Sequence, residues 1–79
     1  MSKNINYKKI KLIIESVIKK DLLQDENLLN DGVLDSLMTL NLIEELEKKF
    51  SISISTNEFS HFNFNSVGAI HKMITRIVN

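Results

Sequence analysis

At 79 residues the chain is near the lower limit for folding without staples, and with no cysteine and two histidines ten positions apart it offers no disulfide framework, thiolate metal site or histidine cluster. Ten basic and ten acidic residues cancel, but they are segregated: residues 1–20 hold six lysines against Glu15, residues 21–47 hold eight carboxylates and no base, and residues 48–79 hold three lysines and Arg76 against Glu58. The acidic middle third repels phosphate backbones, which argues against nucleic acid as a partner. No apolar run approaches the ~20 residues of a bilayer-crossing helix, so a cytoplasmic chain with no membrane insertion is expected.

The first periodic segment is Ile10, Ile13, Ile14, Val17 and Ile18, separated by lysines, and it predicts an amphipathic helix from about Asn6 to Lys20. Residues 21–35 have no sustained period but carry Leu22, Leu23, Leu28, Leu29, Val33 and Leu34. A connection this long in a small bundle is expected to lie over the core by its leucines. A second helix is expected over Ser36–Phe50, with Leu42, Ile43, Leu46 and Phe50 inward and Leu37, Leu40 and Glu44 on a different face. Ile52 and Ile54 alternate with serines but have no partner strand in view, so they read as an apolar link.

Ser55-Thr56-Asn57-Glu58 fits a capping box, predicting a short helix around 56–61 with Phe59 inward. Asn65 or Ser66 then caps a last helix whose inward stripe is Val67, Ile70, Met73, Ile74 and Ile77. Ile54, Phe62 and Val67 are expected to pack against the stripe from Leu42 to Phe50. The fold class is therefore all-α: a single domain over residues 1–79, a four-helix bundle with a long first loop and a short third helix.

Gly32-Val33-Leu34-Asp35-Ser36-Leu37 carries the most chemical information. Gly32 relaxes the turn, Asp35 is a candidate N-cap, and Ser36 falls in the first helical turn with its hydroxyl toward solvent. Unpaired backbone N–H groups there favour an attached phosphate. Read alone, Asp35-Ser36 is better taken as a plain helix cap.

The whole order of elements, with Gly-Val-Leu-Asp-Ser-Leu before the second helix and Leu-Glu-Lys-Lys-Phe at its end, resembles the acyl carrier protein family. The resemblance implies that Ser36 accepts 4′-phosphopantetheine from coenzyme A, and that Asp35 helps the phosphopantetheinyl transferase hold Mg²⁺ and the serine. It also implies a partner-docking face of Leu37, Met38, Leu40, Asn41, Glu44, Glu45 and Glu47, with leucines as anchor and carboxylates steering encounter. Implied partners are the transferase, an adenylating ligase or acyltransferase, and a downstream acyl-accepting enzyme, each met by a monomer with no catalysis of its own. Ser36 has no histidine near it in sequence, and His61 and His71 read as surface or packing residues.

Met38, Asn41 and Glu44 depart from the fatty-acid carriers, where the first two positions are commonly acidic and the third apolar. Thr39 and Thr56-Asn57-Glu58-Phe59 look like the D-alanyl carrier proteins and other discrete carriers serving amino-acid-activating ligases. Two alternatives stay open: a housekeeping fatty-acid carrier, and an unmodified helical domain that docks one permanent partner.

Overall fold

The computed structural model describes residues 5–22, 27–29 and 32–78; Leu23 of the long loop lies outside them. The described residues form helices α1 (Tyr7–Ile18), α2 (Ser36–Phe50), α3 (His61–Phe64) and α4 (Val67–Val78), with a 3₁₀ turn at Thr56–Glu58, and no strand. The all-α bundle with a short third helix is therefore as expected.

Asn6 starts α1 by accepting the Lys9 N–H on its side-chain oxygen at 2.8 Å. Ile10, Ile14 and Ile18, one turn apart, are buried, and Ile13 and Val17 pack half-buried beside them. The helix ends two residues earlier than its periodicity suggests, because Lys19 turns left-handed at φ 59° and gives its N–H to the Glu15 carbonyl at 2.8 Å. α2 has the predicted bounds, and its four expected inward residues are all buried.

Both helices close in the same way. Ser51, just past α2, is left-handed at φ 52° and donates to the Glu47 carbonyl, and Ile52 N–H donates to the same oxygen at 3.1 Å, a left-handed closure made without glycine. The glutamate that accepts the closing bond then binds again seven residues on. Glu15 Oε2 accepts the Leu22 N–H at 2.7 Å, and Glu47 Oε2 accepts the Ile54 N–H at 2.8 Å. Leu22 and Ile54 are buried, so each carboxylate satisfies a backbone donor where the chain re-enters the core. This is how the Ile52–Ile54 link packs without a partner strand.

The long loop is pinned by Leu22, Leu28 and Leu34, all buried, with Leu29 and Val33 half-buried against them. Leu28 also donates its N–H to the Asn65 carbonyl at 2.8 Å, tying the loop to the α3–α4 junction. Ser66 is the cap of α4, accepting the Ala69 N–H on its hydroxyl at 3.1 Å. Val67, Ile70, Met73 and Ile74 are buried as expected, and Ile77 is partly covered.

The structure corrects the sequence reading between residues 55 and 62. The Ser55 hydroxyl accepts from Asn57 N–H at 3.2 Å, and Glu58 does not reach back to complete a capping box. Its carboxylate binds Asn63 Nδ2 at 3.1 Å and the Arg76 guanidinium on α4. The turn consequently stops at Glu58, and Phe59, expected inward, is 41% exposed; Phe64 fills the core instead. Phe62 is 81% exposed, not packed against Ile54 and Val67. Residues two apart on a helix point about 200° apart, so in this single turn only one of Phe62 and Phe64 can face inward.

Candidate functional site at the start of helix α2

Buried Leu28 and Leu34 fix the loop that precedes α2, and Leu34 N–H donates back to the Leu28 carbonyl at 2.8 Å. The turn between them needs Gly32, whose φ of +70° is a conformation that side chains with a Cβ rarely adopt. The chain thus arrives at Asp35 in extended geometry. One Asp35 carboxylate oxygen accepts the Met38 N–H at 2.8 Å, and its carbonyl accepts both the N–H and the hydroxyl of Thr39, each at 2.8 Å.

Ser36 is the first residue of the helix and is exposed, and its hydroxyl has no hydrogen-bond partner among the described residues. The first-turn N–H groups beside it lie at the positive end of the α2 dipole. A phosphodiester on this oxygen would be solvated and locally favoured.

The face around Ser36 is apolar in two places. Leu37 is 68% and Leu40 56% exposed, with exposed Asn41 and Glu44 and half-buried Glu45 alongside. Two other residues of the expected docking face sit differently. Met38 is partly buried against the core, and Glu47 spends a carboxylate oxygen on Ile54.

The fold also brings together residues that the sequence kept apart. A groove of about 520 Å³ opens beside Ser36, with Leu34, Leu40, Phe59 and Phe64 as its apolar wall. Asp35, Ser36, Thr39, Ser60 and His61 are its polar lining. That His61 lines the same groove as the serine was not legible, because no local spacing relates the start of α3 to the start of α2.

The model of the phosphopantetheine attachment site family matches residues 8–74, which spans all four helices up to the last turn of α4. The chain belongs to the phosphopantetheine-carrier family. The carrier is 38% identical to the D-alanyl carrier proteins of Streptococcus sanguinis (strain SK36) and Streptococcus mutans serotype c, and 35% identical to that of Streptococcus suis (strain 98HAH33). Each match runs over 69 residues, 85% of this chain and 87% of the relative. Its cofactor is 4′-phosphopantetheine, and the residues at the start of α2 suit that group: a bare hydroxyl at a helix N-terminus, opening onto a half-apolar groove. Carriers of this family are generally not catalysts. Among the described residues no helix is long and apolar enough to cross a membrane, and no group of three or more His, Asp or Glu side chains could hold a metal ion.

Proposed function

We propose that Ser36 is the attachment point of the arm and that this carrier takes a D-alanyl or other aminoacyl group from an adenylating ligase to a downstream acceptor. The observation that carries the reading is the exposed Ser36 hydroxyl on the first residue of α2, directly behind the Asp35 cap. In priming, the Ser36 oxygen bonds to the phosphorus that bears the pantetheine. The adenosine bisphosphate half of coenzyme A leaves, and the hydroxyl proton passes to the transferase. Asp35 holds the helix start and would help the transferase hold its Mg²⁺ and the serine. When bound, the arm supplies the thiol this chain lacks and holds cargo as a thioester.

The other residues of the site act on partners. Leu37 and Leu40 give a small apolar anchor, and Glu44 and Glu45 steer encounter with basic surfaces. Tethering keeps the cargo at high effective concentration at each enzyme visited. The aminoacyl cargo rests on the names of the streptococcal relatives together with Met38, Asn41 and Glu44.

The test is intact mass after incubation with coenzyme A, Mg²⁺ and a broad-specificity phosphopantetheinyl transferase. The wild-type chain should gain one arm and Ser36→Ala none; no gain in wild type would reduce the chain to an unmodified docking domain. A primed chain that then gains D-alanine from ATP and an adenylating ligase supports the aminoacyl reading. One that gains malonate from a malonyl transferase instead is a fatty-acid carrier.

A further inference from the structure

Phe62 is the most exposed large apolar side chain among the described residues, 81% against 68% for Leu37 on the α2 face. It lines a second groove, of about 370 Å³, between α3 and α4, together with Gly68, Ala69, Lys72 and Arg76. This groove and the one beside Ser36 share no lining residue. Gly68, Lys72 and Arg76 follow one another at i, i+4 and i+8, so they form one stripe along α4. The fold does not demand the glycine: its φ is not positive, and a Cβ built on it would meet only the Ser66 hydroxyl oxygen, at an ordinary contact distance of 3.9 Å. Glycine inside a helix is disfavoured against alanine by up to about 1 kcal/mol. Gly68 thus keeps the groove open at a cost to its own helix, which is a use of glycine where something from outside approaches the backbone closely. Arg76 is held by Glu58, whereas Lys72 is exposed and has no ion pair among the described residues.

We propose that the α3–α4 groove is a second docking surface, for an acidic segment of a partner protein that seats one apolar side chain beside Phe62 and Gly68 and brings a carboxylate to Lys72. Charge selects this occupant. The groove is lined by two cations and no carboxylate, the reverse of the α2 face, where Glu44 and Glu45 favour basic surfaces. The apolar side chain anchors because Phe62 is covered only once the segment is bound. None of Ser36, Leu37 and Leu40 lines the groove, so a segment bound there does not compete for them. A partner held in this way keeps the α2 face at high effective concentration near it. The proposal does not depend on attachment at Ser36.

The experiment titrates the labelled full-length chain, followed by amide NMR, with a short end-capped peptide of leucine and glutamate at helical spacing. Matching peptides with lysine for glutamate or serine for leucine, and inorganic phosphate, are the controls. The leucine–glutamate peptide should shift the amides of Phe62, Gly68, Ala69 and Lys72 with a Kd of about 1 mM or tighter, and leave those of Leu37 and Glu44 in place. The leucine–lysine peptide should do the opposite. Phe62→Ser should weaken binding about tenfold, and so should Gly68→Leu, which fills the groove with a good helix former. Lys72→Gln should weaken it about two- to fivefold, the range open to an exposed ion pair. Urea unfolding reports whether each variant is folded, and Gly68→Leu should be no less stable than wild type. Amides of α3 and α4 that do not move overturn the proposal, as does binding unchanged in Phe62→Ser and Gly68→Leu. Equal shifts with phosphate or the serine–glutamate peptide mean a plain anion site and overturn it too. The mass gain at Ser36 is read separately, so none of these results bears on attachment.

Discussion

Asp35 and Ser36 are adjacent and both exposed, yet they carry separable burdens. Asp35 satisfies the Met38 N–H at the helix start, so Asp35→Ala should cost about 0.5–2 kcal/mol in urea unfolding. Ser36→Ala removes a hydroxyl that bonds nothing described and should stay within about 0.5 kcal/mol of wild type, while abolishing the mass gain. If Ser36→Ala unfolds the chain instead, the serine is a structural cap and the carrier reading of that residue is wrong. Both residues were legible in the sequence because a cap and the first helical position are set by neighbours within one turn. Glu58 was misread for a related reason. Ser-x-x-Glu is compatible with a capping box, but the distant Arg76 offers the carboxylate a charged partner that no local pattern announces.

At the level of elements, α1 and α2 end on the same device: a left-handed lysine or serine, then a buried apolar residue whose N–H returns to the helix's last glutamate. Left-handed backbone costs a residue with a Cβ about 1–2 kcal/mol, so these ends persist only because later contacts hold them. Glu47→Ala removes the acceptor of the Ile54 N–H and should cost about 1–3 kcal/mol, read as a lower urea midpoint with unchanged slope. A negligible change would mean that water replaces the carboxylate freely. The helices themselves were readable from apolar spacing, and α2 to the residue. Their ends were not, since neither carries the glycine that usually marks a helix stop. The short third helix was the least legible element. One turn is too brief to establish a period, so Phe59, Phe62 and Phe64 could not be sorted from their order alone.

Across the whole molecule the acidic and basic blocks meet where α1 packs on α2. One groove between α1 and α2 is lined by Ser16, Val17, Asn41, Glu44 and Glu45; a second, toward the end of α2, is lined by Lys9, Leu12, Ile13, Lys49 and Phe50. The two helices therefore run antiparallel, and at about 1.5 Å per residue Glu45 and Lys49 on α2 are about 6 Å apart along the axis. Exposed Glu44 and half-buried Glu45 would favour approach to a basic partner surface. Exposed charges act through solvent, so the effect belongs to the association rate and is screened by salt. Stopped-flow association of the primed carrier with its loading ligase should slow severalfold between about 0.05 M and about 0.5 M salt, and Glu44→Gln/Glu45→Gln should flatten that dependence. Leu37→Ala should leave the slope intact and raise the dissociation rate, because an exposed leucine contributes only once it is covered. A salt slope identical in the wild type and the double glutamine variant would place the steering charges elsewhere, and Glu44 and Glu45 would then be no more than part of a solvated helix face.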